Sequence, residues 1–115
     1  MSPQKNLAIN NPYDLAQSLG LDRSIGREVL ELCRRNDISF LGLFGSFSRG
    51  EQTKESDLDL LVTFSKGKSL IDHIKIEKDL EALLGKKVDL VTENSLSPYI
   101  APVVKKETRG LYREK

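Results

Sequence analysis

Helical and strand-like patterns of apolar residues alternate along this chain. Residues 1–10 are polar and show no period, whereas residues 12–19 predict a short helix. A longer helix is predicted from Ser24, which would cap its amino end, to near Asn36. Its apolar stripe, at positions i, i+4, i+7 and i+8, consists of Ile25, Val29, Leu32 and Cys33.

Three short apolar runs predict β-strands, at residues 40–44, 57–64 and 87–92. The first run is apolar throughout and stops at Gly45, which is typical of a buried strand. The first two runs are separated by only the short segment 47–56 after the Gly-Ser pair. Because this segment is too short for a crossover helix, the first two strands are predicted to be antiparallel.

A further helix is predicted between the second and third strands, over residues 69–85. Ser69 and Asp72 have the spacing of a capping box at its start, and Gly85 is a stop signal at its end. A helical crossover joins parallel strands, so the second and third strands are predicted to run parallel.

The last predicted helix begins at Ser97 and Pro98 and carries Ile100, Val103 and Val104 as its apolar positions. The sequence GLYREK that follows is predicted to be a tail or a short edge strand. The predicted fold class is therefore α+β, with a small mixed sheet of three or more strands and helices packed against it.

The composition narrows the class of partner. The chain of 115 residues is predicted to form one domain, and its 18 lysines and arginines nearly balance its 17 aspartates and glutamates, for a net charge of +1. This balance predicts no direct nucleic-acid or membrane partner. The single cysteine, Cys33, excludes an internal disulfide, and neither a signal-peptide pattern nor a membrane-length apolar run is present. A soluble cytoplasmic protein is expected.

Two aspartates at the start of the second predicted strand are the first chemical signal. Asp57 and Asp59 alternate with Leu58 and so share one face, with Cα atoms about 6.5 to 7 Å apart. Asp89 and Val88 of the third strand lie on opposite faces, and Asp89 would join the pair if the strands are neighbours. Carboxylates about 5 Å apart repel by about 3 kcal/mol at an effective dielectric of about 20. Such a cluster predicts a cation, and its oxygen donors favour Mg²⁺ or Mn²⁺ over zinc.

The Gly-Ser pair at the end of the first strand is a candidate phosphate site. Gly45 has no Cβ, so a ligand can approach its backbone closely, and Ser46 begins a turn whose free N–H groups favour an anion. Ser46 and Ser48 add hydroxyl groups, and Arg49 adds a charged fork suited to phosphate oxygens. Phosphate donors beside carboxylates predict a site for a nucleoside triphosphate with its metal ions.

Simpler interpretations exist for each residue taken alone. A Gly-Ser pair after a strand is more often just a turn. Asp59 could pair with Lys54, but this pairing does not explain why Asp89 interrupts another apolar strand. His73 has no second histidine to complete a metal site and is predicted to lie on the surface. Tyr99 is predicted to be a packing residue rather than a platform for stacking a base, although its place near the last helix would let it touch a base.

In combination, these residues resemble a known superfamily. The Gly-Ser pair, followed by ten residues and then Asp57-Leu58-Asp59, resembles the signature of the nucleotidyltransferases that include DNA polymerase beta. The segments LGLFGSFSRGE, SDLDLLVTF, LEALLGKKVDLVT and LSPYIAPVV are similar, in order and spacing, to the minimal nucleotidyltransferase (MNT) branch. Members of that branch are the antitoxins of HEPN/MNT toxin–antitoxin pairs.

The resemblance runs from about Glu31 to Tyr112 and implies a polymerase beta-like fold. It implies a minimal nucleotidyltransferase domain over residues 21–115 and an amino-terminal extension, residues 1–20, that is partly loose and does not match the family core. The implied ligands, for two Mg²⁺ ions or for Mn²⁺, are Asp57, Asp59 and Asp89. The last of these would also activate the attacking hydroxyl. The implied nucleotide contacts are Gly45, Ser46 and Arg49, to which Ser48 adds a hydroxyl.

The resemblance also implies a partner. The chain would transfer a nucleoside monophosphate, AMP from ATP, to a hydroxyl side chain of a HEPN-domain toxin, with tyrosine as the first candidate, and would form a hetero-oligomer with that toxin. Two alternatives stay open: an antitoxin that blocks the toxin without catalysis, and a nucleotidyltransferase that acts on a small molecule. The three aspartates argue against the first, because each costs stability without a cation. The absence of a substrate domain argues against the second.

Overall fold

The computed structural model describes residues 9–53 and 55–114, without the side chain of Phe47. Its helices and strands follow one another in the order that the apolar pattern predicts. In chain order they are α1 (Pro12–Leu19), α2 (Arg23–Arg35), β1 (Ile38–Phe44), α3 (Ser46–Arg49), β2 (Leu58–Phe64), α4 (Leu70–Leu84), β3 (Val88–Thr92), α5 (Ala101–Glu107) and β4 (Arg109–Arg113). A 3₁₀ turn, Glu93–Ser95, follows β3.

The four strands form a mixed sheet in the order β3-β2-β1-β4. Strand β1 pairs antiparallel with β2 and with β4, whereas β2 and β3 run parallel and are joined by α4. The predicted directions of the first three strands are confirmed, and the carboxy-terminal sequence forms an edge strand rather than a tail. The mixed sheet with its helices confirms the predicted α+β class.

One face of the sheet is buried beneath α2 and α4. Alternate residues of β2 point to this face and are at most 1% exposed: Leu58, Leu60 and Val62. They pack in the core with Val88 and Leu90 of β3 and with Leu32 and Leu80 of the helices. Because strand residues alternate between faces, the other face of β2 and β3 carries Asp59 and Asp89.

Helix α4 begins and ends as predicted. The Ser69 hydroxyl accepts a hydrogen bond from the Asp72 N–H at 3.1 Å, and the Asp72 carboxylate accepts one from the Ser69 N–H at 3.4 Å. Gly85 ends the helix with φ +67°, a conformation that favours glycine. The capping box and the glycine stop are therefore confirmed.

The predicted N-cap of α2 is wrong by two residues. The helix begins at Arg23, and Asp22, not Ser24, occupies the N-cap position, where its side chain makes no capping hydrogen bond. Inside the helix, Gly26 lies so close to α1 that a Cβ at this position would overlap the carbonyl of Pro12.

The predicted start of the last helix is also wrong. Residues 98–100 form a turn in which the Ser97 hydroxyl accepts a hydrogen bond from the Ile100 N–H, and α5 begins only at Ala101. Only Val104 among the predicted apolar positions is buried, since Ile100 is 54% exposed and Val103 is 61% exposed. The apolar spacing here does not mark a core-facing helix stripe.

Side chains of α4 cover the outer edge of β3. The Glu81 carboxylate accepts a hydrogen bond from the Val88 N–H at 3.0 Å, and the Glu77 carboxylate accepts one from the Leu90 N–H at 2.8 Å. The His73 Nε2 lies 2.7 Å from the Leu90 carbonyl oxygen, so the ring donates to it. His73 is half-buried by this contact, and its prediction as a surface residue is wrong.

Asn10 covers the opposite edge of the sheet. Its N–H donates to the Leu111 carbonyl at 3.1 Å, and its side chain exchanges two hydrogen bonds with the Arg113 backbone, at 2.9 and 2.8 Å. The predicted helix at residues 12–19 is confirmed as α1, and its Leu15 is 2% exposed. The sequence predicts that residues 1–10 are loose; for Asn10 this is wrong, because it is bonded to β4, and residues 1–8 lie outside the described residues. Within residues 9–53 and 55–114, no helix is long and apolar enough to cross a membrane.

We expect Leu80→Ala to lower the free energy of unfolding by about 2 to 5 kcal/mol, because it leaves a cavity in the core. Leu80 is fully buried, whereas Leu70 on the same helix is 74% exposed. Leu70→Ala is therefore the matched control and should change stability by about 0.5 kcal/mol or less. Urea denaturation measures both, and equal losses in the two variants would contradict this account of the core.

Candidate active site

The predicted aspartates lie on the face of the sheet that α2 and α4 leave open. Asp59 of β2 is paired in register with Asp89 of β3, and Asp57 lies two residues before Asp59, just outside the strand. Asp59 is half-buried, whereas Asp57 and Asp89 are exposed. The parallel pairing therefore brings Asp89 beside Asp59, as the sequence predicts.

The three carboxylates influence one another electrostatically. Burial raises the pKa of Asp59 above its ordinary value, and the nearby charges of Asp89, Asp57 and Glu107 raise it further. The charge of Arg49 acts in the opposite direction. Asp59 is thus the centre of a local excess of negative charge, which a cation would relieve.

This arrangement is not a compact metal centre. Among residues 9–53 and 55–114, no three histidine, cysteine, aspartate or glutamate side chains form a group that could hold one ion. The sequence predicts that the three carboxylates converge on one point, and the structure instead places them within electrostatic reach. Their oxygen donors and mutual repulsion fit Mg²⁺ or Mn²⁺ in chemical type.

Gly45 joins the end of β1 to the carboxylate side of the site. Its φ of +74° lies in the left-handed region, and a Cβ at this position would overlap the Asp59 carboxylate. The antiparallel register explains the close approach, because Phe44 is the partner of Asp59 across the two strands. The predicted phosphate turn and the predicted metal ligand are therefore in direct contact.

The backbone after Gly45 forms the short helix α3, which begins at Ser46. The Gly45 carbonyl accepts hydrogen bonds from the N–H groups of Ser48 and Arg49, at 3.1 and 3.2 Å. The Ser48 hydroxyl is engaged with the backbone carbonyl of Glu107, at 3.1 Å. The turn thus holds the predicted phosphate contacts close together on one small loop.

Two glutamates that the sequence does not single out bind Arg49. The Arg49 Nε donates to Glu51 at 2.9 Å, and its Nη1 donates to both carboxylate oxygens of Glu107 at 3.3 Å. The same Glu107 carboxylate accepts a hydrogen bond from the Gly45 N–H at 3.2 Å. Glu107, the last residue of α5, is therefore a member of the site.

Two other residues weighed from the sequence have different outcomes. Tyr99 is 90% exposed, so its prediction as a packing residue is wrong. Lys54, the alternative partner of Asp59, lies outside the described residues. The described cation that acts on Asp59 is Arg49.

Comparison with known proteins gives a consistent set of matches. The nucleotidyltransferase domain family model matches residues 27–111. The protein adenylyltransferase MntA of Thermococcus cleftensis is 47% identical over 77 residues, which are 67% of this chain and 78% of that protein. These 77 aligned residues correspond to most of the relative's length.

Two solved structures share the fold. One, provisionally identified as a minimal nucleotidyltransferase, is 44% identical with a TM-score of 0.64, and the match covers 71% of this chain and 84% of that one. The other, a crystal structure of a toxin–antitoxin with AMP-PNP, is 27% identical with a TM-score of 0.66, covering 77% of this chain and 73% of that one.

The raised pKa of Asp59 predicts how stability depends on pH. Between the ordinary carboxyl pKa of 3.8 and the raised value, the folded state binds more protons than the unfolded chain. The free energy of unfolding therefore falls as pH rises through this window and stays lower above it. Without metal, Asp59→Asn should be more stable than wild type at pH 7, and this advantage should vanish below the window.

Urea denaturation in chelator at pH 7 and near pH 3.5 measures this difference. Asp79→Asn, an exposed carboxylate change on α4, is the matched control and should give a smaller gain. Equal stability of Asp59→Asn and wild type at pH 7 would show that the Asp59 charge carries no cost in the folded state.

Proposed function

This chain belongs to the nucleotidyltransferase domain family, and on that premise we propose that it transfers AMP from ATP to a hydroxyl side chain of a HEPN-domain toxin. Such a transfer would silence the toxin, so the chain would act as its antitoxin. One observation carries the proposal. Asp59, which pairs in register with Asp89, lies directly against Gly45, so a carboxylate and the proposed phosphate turn meet at one place.

The phosphate side of the proposed site is the loop that follows β1. The residues that would contact the triphosphate are Gly45, Ser46, Ser48 and Arg49. Arg49 is 46% exposed at its side chain, so a ligand can reach its guanidinium. A guanidinium binds phosphate oxygens as a charged fork, and hydroxyl groups beside it add neutral hydrogen bonds.

The carboxylate side would hold divalent ions through Asp57, Asp59 and Asp89. Members of this family generally use divalent metal ions, and we propose two Mg²⁺ ions, or Mn²⁺, here. When bound, they would neutralise charge on the triphosphate and lower the pKa of the attacking hydroxyl. The protein would contribute the fixed pairing of Asp59 with Asp89, so that nucleotide and acceptor are held on neighbouring strands.

Asp89 is proposed to serve the acceptor. The acceptor oxygen would form a bond to the α-phosphorus while the bond from that phosphorus to the leaving pyrophosphate breaks. The hydroxyl proton would pass to the Asp89 carboxylate, which is exposed and so open to a side chain of another protein. Asp59 is half-buried and less accessible, which suits it to the nucleotide rather than to the acceptor.

The partner is proposed from chemistry and from the relatives together. The solved toxin–antitoxin structure contains AMP-PNP, an analogue of ATP, and the Thermococcus relative is named as a protein adenylyltransferase. These names support a protein acceptor and ATP as the donor. We propose a hetero-oligomer with the toxin, a tyrosine as the acceptor, and the cytoplasm, where ATP is present, as the compartment.

A second candidate function is blocking of the toxin without catalysis. The observation that favours it is that the described residues contain no compact group of three ligands for a metal ion. A blocker would need the folded surface but not the chemistry. The Asp89 experiment below separates the two functions.

Arg49→Ala should weaken binding of ATP about five- to thirtyfold, because it removes a charge-assisted hydrogen bond that water partly screens. Isothermal titration calorimetry measures the affinity. Arg34→Ala removes an exposed, glutamate-paired arginine of α2 and is the charge-matched control. Equal affinity in Arg49→Ala and wild type would remove Arg49 from the site.

Asp89→Asn should bind ATP but transfer nothing, because the nucleotide is held mainly by the other residues while the acceptor loses its base. Wild type and variant are incubated with labelled ATP, Mg²⁺ and the purified toxin. Mass spectrometry then detects adenylate on the toxin, and a ribonuclease assay measures its residual activity.

Two outcomes would reject catalysis as the means of neutralisation. One is an unchanged toxin mass with wild type, and the other is a toxin that Asp89→Asn silences as fully as wild type does. A reaction with wild type in chelator is the metal control, and it should give no transfer. Asp79→Asn, on the distant helix α4, should transfer as wild type does.

A further inference from the structure

The Glu107 side chain occupies two of the hydrogen-bond donors that the proposed function assigns to the triphosphate. One of its oxygens accepts from the Gly45 N–H at 3.2 Å, and both accept from the Arg49 Nη1 at 3.3 Å. The Glu107 backbone carbonyl also accepts from the Ser48 hydroxyl. Three of the four proposed phosphate contacts are therefore engaged by one residue of α5.

A carboxylate and a phosphate compete for such donors because both are anionic oxygen acceptors. Gly45 has one N–H, so a phosphate oxygen that binds it takes the place of the Glu107 oxygen. A carboxylate that stays beside the triphosphate would also repel it. Binding through the Gly45 N–H therefore requires the Glu107 carboxylate to leave, and its departure also frees the Arg49 Nη1 group.

We infer that Glu107 is an internal competitor of the nucleotide, which fills the phosphate donors of the Gly45–Arg49 loop until a triphosphate displaces it. This inference rests on the proposed function for the identity of the ligand. It assigns to Glu107 a role in setting nucleotide affinity, since displacing its carboxylate subtracts from the binding free energy of every nucleotide that enters.

The contact of the Glu107 carboxylate with Gly45 and Arg49 is long and partly exposed. Charge-assisted N–H···O bonds are commonly about 2.7 to 2.9 Å long, whereas those of Glu107 are 3.2 to 3.3 Å. The side chains of Arg49 and Glu107 are 46% and 25% exposed, so water can replace the lost partner. The contact is therefore weak enough for a triphosphate to displace.

The backbone need not move when the carboxylate leaves. The Ser48 hydroxyl donates a hydrogen bond to the backbone carbonyl of Glu107, and Val104, one turn earlier in α5, is buried. Rotation about the side-chain bonds of Glu107 alone can free Gly45 and Arg49. The competitor is thus a side chain on a fixed helix end.

The test compares the affinities of wild type, Glu107→Gln and Glu31→Gln for ATP with Mg²⁺ by calorimetry. Glu107→Gln should bind about two- to tenfold more tightly, because an exposed ion pair and a like charge are both removed. Glu31→Gln breaks an exposed glutamate–arginine pair on α2 and changes the net charge equally, so it should bind as wild type does. Unchanged or weaker binding by Glu107→Gln overturns the inference.

A second measurement needs no variant. In ¹⁵N-labelled wild type, the Gly45 amide resonance should shift on titration with inorganic tripolyphosphate. The midpoint of this shift should equal the midpoint of a calorimetric titration with the same tripolyphosphate. A Gly45 signal that does not move while tripolyphosphate binds overturns the inference, even if Glu107→Gln does not fold.

The two proposals fail in distinguishable ways. If wild type adenylates the toxin but Glu107→Gln shows no tighter binding, the function stands and the competitor is rejected. If no toxin is adenylated but Glu107→Gln binds tripolyphosphate more tightly than wild type, the competitor stands and the function is rejected. If neither ATP nor tripolyphosphate binds any of the three proteins, both are rejected.

Discussion

The contact between the Gly45 backbone and the Asp59 carboxylate determines the geometry of the whole site. The antiparallel register places Phe44 opposite Asp59. Gly45, the residue after Phe44, therefore leaves β1 beside the Asp59 carboxylate. Only glycine satisfies both demands there, a positive φ and the absence of a Cβ. Parallel pairing then sets Asp89 beside Asp59, and α5 brings Glu107 to the Gly45 N–H. A single backbone position thus couples the acidic half of the site to the proposed phosphate-binding half.

One face of the sheet forms the hydrophobic core, and the other face carries the candidate active site. The face under α2 and α4 is apolar and supplies the stability that comes from burying side chains. The open face carries several carboxylates, and burial, with the neighbouring negative charges as a smaller cause, raises the pKa of Asp59. Functional sites commonly contain locally unfavourable interactions, such as carboxylates close together, because the rest of the fold supplies the stability. Because successive side chains of a strand point to opposite faces, β2 carries both core residues and the Asp59 carboxylate without bringing them together.

Features that depend on neighbours in the sequence could be predicted from it. The capping box at Ser69 and the stop at Gly85 are local patterns, and the strand directions follow from the lengths of the connections. The pairing of Asp59 with Asp89 follows from strand alternation once those two strands are neighbours. Local pattern was therefore sufficient for the strand directions and for the shared face of the carboxylates, but not for the strand order β3-β2-β1-β4.

Features that depend on distant contacts could not be predicted. Glu107 meets Gly45 across 62 residues, and nothing in its local sequence distinguishes it from the other surface glutamates. The close approach of Gly26 to the Pro12 carbonyl joins α2 to α1, and of Val103 and Val104 in α5 only Val104 is buried. In each case the deciding atoms belong to another element, so periodicity and capping rules carry no information about them.

The covered edges of the sheet limit how a protein partner can bind. Glu77, Glu81 and His73 take up outward-facing backbone groups of β3, and Asn10 does the same for β4. An extended peptide adds to a sheet by pairing with free backbone groups of an edge strand. Here these backbone groups are already engaged, so a partner cannot use them to extend the sheet. The segment around Asn10 lies before the family match at residues 27–111, yet it shields an edge through which copies of the chain could otherwise stack.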